Sequence, residues 1–181
     1  MNLSPEKQIS LIREIIPGIK RIGIIFDRAK TGPYIGRINN VASATGIKLL
    51  TRRVHDSREA ISSLEEIKND VDALWLLPDT TVVNPSTIDL LLLSCIENKI
   101  PVITFSEKYA EKGALISMEV DAVEAGKQAG EMAESILTGK PVKHIENVDA
   151  RGCILTVNMI VAKKLGIAIN TDAIKHARII R

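Results

Sequence analysis

Five short apolar runs punctuate the chain, at 21–27, 47–54, 72–77, 100–106 and 114–120, and segments with helical apolar spacing separate them. That alternation constrains the fold more than any other feature. A run apolar at nearly every position has both faces covered, so it belongs inside a sheet with helices on either side. Strands that alternate with helices join as parallel neighbours through right-handed crossovers. The expectation is an open, mostly parallel α/β sheet with helices on both faces, in the flavodoxin-like order 2-1-3-4-5. The run "IKLLTRRV" at 47–54 alternates in polarity and is expected nearer an edge.

Local punctuation places the helices. In the first, Ser4 is the N-cap, Pro5 takes the first helical position and Gln8 falls inside the first turn. Ile9, Ile12, Ile15 and Ile16 recur at helical spacing, and Pro17-Gly18 ends the run. Further helices are expected at 33–46, closed by Gly46; at 57–70, capped by Ser57; and at 84–99, capped by Asn84 with Pro85 in the first turn. A short helical turn leads into 114–120. A long helix at 121–140 has Asp121 as cap and Gly139 as stop. A polar passage with Pro141 and "HIENVDARG" follows, then a strand at 153–158, the helix "MIVAKKLG", and a final helix from Asn170 or Thr171.

At 181 residues the chain suits one domain with a sizeable core. Apolar residues at 45% and charged residues at 25% mark a globular protein. Only 3% are aromatic, and the 24 basic and 22 acidic residues are spread along the chain, so neither base stacking nor a phosphate-binding stripe is expected and no nucleic acid partner is implied. No apolar run reaches the roughly 18 residues that span a bilayer. The opening "MNLSPEKQIS" lacks the apolar core of a secretory signal. The chain is therefore either cytoplasmic as it stands or part of a longer exported protein. Cys95 and Cys153 have no metal-ligand spacing and read as small buried hydrophobes, with a disulfide left open.

In this architecture ligands bind outside the carboxyl ends of the strands, where strand order reverses. Those ends are rich in polar groups. The first is Phe26-Asp27; the third, in "DALWLLPDTTVVNP", is Pro78-Asp79-Thr80-Thr81; the fourth is Thr104-Phe105-Ser106; the fifth is Ser117-Met118-Glu119-Val120-Asp121. Together they form an expected hydrogen-bonding ledge with Asp79 open to it. Asp residues also commonly cap turns and helices, and for Asp79 and Asp121 that reading stands beside the functional one.

Catalytic signatures are missing. There is no G-x-x-x-x-G-K-[ST] loop, no G-x-G-x-x-G after the first strand and no G-x-S-x-G elbow, so no cofactor is expected. His55, His144 and His176 are scattered, and none falls at a strand end to act as a base. Asp27 and Asp79 could form a carboxylate pair. A phosphoacceptor receiver domain would use Asp27, Asp79 and Thr104, but the fifth strand ends without a Lys and Arg28 follows Asp27 where an acid is wanted.

Four stretches in order, "LIREIIPGIKRIGIIFD", "VDALWLLPDTTVV", "KIPVITFSEKYAEKGALISMEVDAVEAGKQAGEMAESILTGK" and "LTVNMIVAKKLGIAINTDAIKHARII", resemble the substrate-binding proteins of ABC transporters with the type I periplasmic fold. The branch is the one that includes tryptophan- and other aromatic amino-acid-binding proteins. That resemblance implies one lobe of a two-lobed, non-enzymatic protein: the second lobe plus the carboxyl-terminal tail. A small solute, an amino acid or a relative of one, would be clamped between lobes and presented to an ABC permease. The parent would be periplasmic or otherwise extracytoplasmic and anchored to a membrane as a lipoprotein. The implied ligand positions are Asp27, Thr31, Tyr34, Asp79, Thr80, Phe105, Ser106, Ser117 and Glu119. Family members often have Asn where Thr80 stands and Tyr where Ala122 stands, which leaves room for a different solute. The core would comprise 5–120 and 150–181. The helix at 121–138 would pack on the first lobe or on a second copy of the chain, or else fold back on its own sheet; Ala122, Ala125, Gly126, Ala129, Ala133, Ile136 and Leu137 share its apolar face. The alternatives are a ligand-sensing module fused to a signalling domain and an α/β enzyme on the same scaffold.

Overall fold

A computed structural model describes residues 2–139 and 148–181. Pro141 and His144, in the polar passage noted above, lie outside the described residues.

Seven strands form one sheet in the order β2-β1-β3-β4-β5-β6-β7. They are β1 (Arg21–Phe26), β2 (Lys48–Arg53), β3 (Ala73–Trp75), β4 (Val102–Thr104), β5 (Ile116–Val120), β6 (Cys153–Asn158) and β7 (Arg178–Ile180). The first five are parallel in the expected flavodoxin-like order, with β2 at the edge. β6 runs antiparallel to β5, and β7 pairs parallel with β6.

Helices cover both faces. α1 (Pro5–Ile15) opens as expected: the Ser4 hydroxyl accepts the Lys7 amide, and Pro5 supplies a first-turn residue whose missing N–H costs nothing there. Its buried Ile9, Ile12 and Ile15 join Ile24, Ile38, Trp75 and Ile116 in one core layer. Full burial of each such side chain contributes about 1.5–3 kcal/mol. α2 (Arg28–Ala44) and α7 (Met159–Leu165) pack on the same face; α3 (Glu59–Ile67) and α4 (Ile88–Glu97) cover the other, around Leu64, Leu74, Leu91 and Cys95. Phe105 and Tyr109, which flank the start of α5 (Glu107–Glu111), meet edge to face on that second layer.

Several expectations change. The helix expected from a Ser57 cap begins at Glu59, with Arg58 at its N-cap and no side-chain cap bond. α2 begins five residues earlier than 33, because Asp27 accepts the Ala29 amide and caps the helix; Pro33 then sits inside it. α4 begins four residues later than 84, because the Asn84 side chain accepts the Ser86 amide and holds 84–87 as a turn. The final helix is one 3-10 turn, Asp172–Ile174, and the residues after it form β7. Cys95 and Cys153 are both free thiols and pack on opposite sides of the sheet; burial pushes Cys95 up to about 12.

α6 (Ala122–Leu137) stands apart. Asp121 caps it by accepting the amides of Val123 and Glu124. Gln128 is its one buried side chain, donating to the Asp149 carbonyl and accepting from the Arg151 amide. Val123 is 71% exposed and Leu137 87%. The apolar face does not fold back onto the sheet.

Candidate ligand-binding site

Two structures meet at the carboxyl ends of the strands: a bracket of internal hydrogen bonds and, beside it, a cavity.

The bracket joins the start of α2 to the loop after β3. Asp79 is 1% exposed. Its Oδ2 accepts from the Asp27 amide and the Thr31 hydroxyl, each at 2.8 Å, and its Oδ1 accepts from the Thr81 amide at 3.0 Å. Asp27 reciprocates, accepting from the Thr81 hydroxyl and the Ala29 amide. The amide of Ala29, then the Thr81 hydroxyl, hold the Asp27 carboxyl below its ordinary range. Lys30 donates to the Thr80 hydroxyl. This corrects the expectation of an open Asp79: its oxygens are committed inside the chain. It also removes the carboxylate-pair reading, since each acid serves the other's loop. Asp27 could be anticipated as a cap, and Asp79 as a turn residue accepting the Thr81 amide; its bonds from the Asp27 amide and the Thr31 hydroxyl could not, because they span 52 and 48 residues.

The cavity measures about 270 Å³ and lies between the ends of β3, β4 and β5, the start of α1 and the middle of α2. Its walls are Leu3, Tyr34, Trp75, Leu76, Leu77, Pro78, Phe105, Met118 and Val120, with Asn2, Gln8, Thr104 and Glu119 adding polar atoms. Of the nine anticipated positions it gathers Tyr34, Phe105 and Glu119. Asp27, Thr31, Asp79 and Thr80 form the bracket instead. Ser106 stands at the N-cap of α5, and Ser117 is fully buried, its hydroxyl without a partner among the described residues. Strand parity explains Ser117: Ile116 and Met118 belong to the α1 and α2 layer, so Ser117 between them points to the opposite face.

Gln8 shows what sequence reading passed over. It sits beside Ile9 on the buried face of α1, where a polar residue demands partners. Its amide nitrogen donates to the Leu3 carbonyl and to the Tyr34 hydroxyl, and Tyr34 in turn donates to Leu3. Burial, followed by the Asp149 charge, pushes Tyr34 up to about 12. The Arg37 guanidinium lies 5.9 Å over the Tyr34 ring and pairs with Asp149, so the wall is held from both sides.

Beneath the cavity three chain segments converge. Leu3 bridges Ala150, the Asp121 amide donates to the Gly152 carbonyl, and the Lys7 ammonium donates to the Arg151 carbonyl. Gly152 is required by this closeness: an added Cβ would lie 2.7 Å from the Asp121 Cβ and 2.8 Å from the Glu124 Cβ.

The sequence model of the family described as "ABC transporter substrate binding protein" matches residues 2–180. The chain belongs to that family. It is a family of substrate-binding proteins rather than of enzymes. A curated relative, the tyrosine-binding protein of Clostridioides difficile, is 25% identical over 179 residues, covering 97% of this chain and 51% of its own length. Among solved structures, a conserved domain protein from Vibrio cholerae is 28% identical with a TM-score of 0.79, covering 99% of this chain and 61% of that one. An ABC domain from Streptococcus pneumonia, solved in complex with L-Trp, is 25% identical with a TM-score of 0.77, covering 98% and 60% respectively. The chain thus spans about half the length of the curated relatives it matches. Among the described residues no helix is long and apolar enough to cross a membrane, and no group of three His, Cys, Asp or Glu could hold a metal ion.

Proposed function

We propose that this chain is the solute-binding lobe of an extracytoplasmic ABC uptake protein, and that an amino acid or related small solute occupies the strand-end cavity. The observation that carries the reading is the cavity itself, with aromatic and aliphatic walls and a few convergent polar atoms, at the strand ends where open α/β sheets bind ligands. The tyrosine-binding relative and the relative solved with L-Trp support an amino acid with a ring. Tyr34, Phe105 and Glu119 contact the solute, together with Trp75, Leu77, Pro78 and Met118. Asp27, Thr31, Asp79 and Thr80 shape the rim without touching it.

A second lobe supplies the opposite wall and closes about the three converging segments, so that a permease reads the closed form. The exposed face of α6 then seats against that lobe or against a second copy of the chain. One lobe buries one side of a solute, so the 181-residue chain alone binds weakly. Titrating aromatic amino acids into it while recording Trp75 fluorescence tests the reading. Saturable quenching that Met118→Phe weakens, by filling the cavity without adding a second tryptophan, supports it. Submicromolar affinity for the chain alone refutes the two-walled mechanism, and quenching unchanged by the filled cavity refutes the site.

A further inference from the structure

The charge of the cavity lining is lopsided: it holds one carboxylate and, among the described residues, no basic side chain. Gln8 spends both amide hydrogens on Leu3 and Tyr34, leaving only its Oε1. Tyr34 spends its hydroxyl hydrogen on Leu3. Among the described residues Glu119 is the one acid in the lining, and no Lys, Arg or His lines the cavity. Its Oε2 accepts from the Glu107 amide at the start of α5, at 3.1 Å, and its Oε1 has no donor among the described residues. The nearby cations are engaged elsewhere: Lys30 with Thr80, Lys7 with Arg151, Arg37 with Asp149 and Arg178 with Glu107. What remains beside the apolar walls is one half-satisfied carboxylate among neutral groups: the Gln8 Oε1, the Asn2 carboxamide and the Thr104 hydroxyl, which has no partner among the described residues.

We infer that this cavity selects a solute with a ring-sized apolar body and a protonated amine, and that it seats the amine against Glu119. The inference rests on the cavity being the solute site. An ammonium supplies the donors that Glu119 Oε1 and Gln8 Oε1 lack, and it is the ionic group that this lining stabilises. A solute carboxylate meets no cation among the described residues of this wall and is repelled by Glu119, so in an amino acid it points out of the cavity, away from this lobe. The Glu119–Glu107 bond makes the recognition rigid, because the acceptor is fixed by the helix it caps.

The test uses the 181-residue chain and three probes of one shape: phenethylamine, L-phenylalanine and 3-phenylpropionate. Trp75 is the sole tryptophan and lines the cavity, so its indole N–H resonance reports occupancy without ambiguity. Phenethylamine and L-phenylalanine shift that resonance saturably, and 3-phenylpropionate binds at least about tenfold more weakly. Glu119→Gln weakens phenethylamine by about tenfold or more while bringing 3-phenylpropionate closer to it. Gln keeps an oxygen for the Glu107 amide, so the variant retains its Tm. Equal binding of the acid and the amine, or no effect of Glu119→Gln on the amine, overturns the inference and leaves the site standing. No response to any probe overturns both.

Discussion

Replacing Asp79 by Ala separates a loop bracket from a ligand contact. The substitution strands the Asp27 and Thr81 amides, which now donate at 2.8 and 3.0 Å, while the Thr31 hydroxyl keeps the Asp27 carbonyl at 3.4 Å as a fallback. An unsatisfied buried donor costs about 1–3 kcal/mol. Asp27 and Thr81 are only half-buried, so water recovers part of the loss, and the expected destabilisation is about 2–4 kcal/mol. For a domain of this size that lowers Tm by about 10 °C. Urea unfolding followed by the single Trp, which lies in β3 just before the bracket, measures it. The double variant with Thr31→Val should cost less than the sum of the singles, since both remove the same 2.8 Å bond. If Asp79→Ala unfolds within about 0.5 kcal/mol of the parent, the bracket carries no weight and the burial argument fails. Lost solute binding at unchanged stability would return Asp79 to the list of ligand contacts.

Acid stability should depend on Asp72. Its burial raises the carboxyl, but the Arg21 guanidinium and the Lys20 and Arg21 amides outweigh that and hold it below the ordinary range. The folded value is the lower one, so the contribution is full above the unfolded value and is lost as pH falls through the folded one. Asp72→Asn should therefore flatten the stability profile below about pH 4, seen in urea midpoints against pH. Tyr34, pushed up to about 12 by burial and the Asp149 charge, should ionise well after an exposed tyrosine in an ultraviolet titration, and folding should weaken between about pH 10 and 12; Tyr34→Phe should remove that step. Gly152→Ala forces the three converging segments apart and should cost about 1–3 kcal/mol in thermal unfolding, whereas an unchanged Tm would mean the segments yield freely. Sedimentation velocity should show the chain self-associating through α6 as concentration rises, and Leu137→Asp should abolish it; a monomer at every concentration would leave a different lobe as the partner of that face.

The parts of the fold that were legible beforehand share a local cause. Apolar runs at 21–27, 72–77 and 100–106 require cover on two faces, and Ser4, Asp121 and Gly166 mark helix ends by bonds or dihedrals within a few residues. Errors arose where two local signals competed. Pro33 is a good first-turn residue, but Asp27 caps earlier and prevailed; Asn84 resembles a helix cap, but its Asx turn consumed it. β7 was hidden because "ARII" is too short to announce itself without β6 beside it.

By itself the sequence determined the parallel α/β architecture and the end of the sheet where polar residues collect; the family resemblance pointed to Tyr34, Phe105 and Glu119, which form part of the cavity wall. Tertiary structure alone decided which of those polar residues are spent inside. Adjacent strand residues point to opposite faces, so register and sheet cover turned Ser117 away. A loop distant in sequence brought the Asp27 amide and the Thr31 hydroxyl to the Asp79 carboxylate, beside its local bond from Thr81, and hydrogen bonding in a buried setting is too costly to leave incomplete, so Asp79 went to them. Pairings of that kind depend on where chain segments meet in space, which no local spacing encodes.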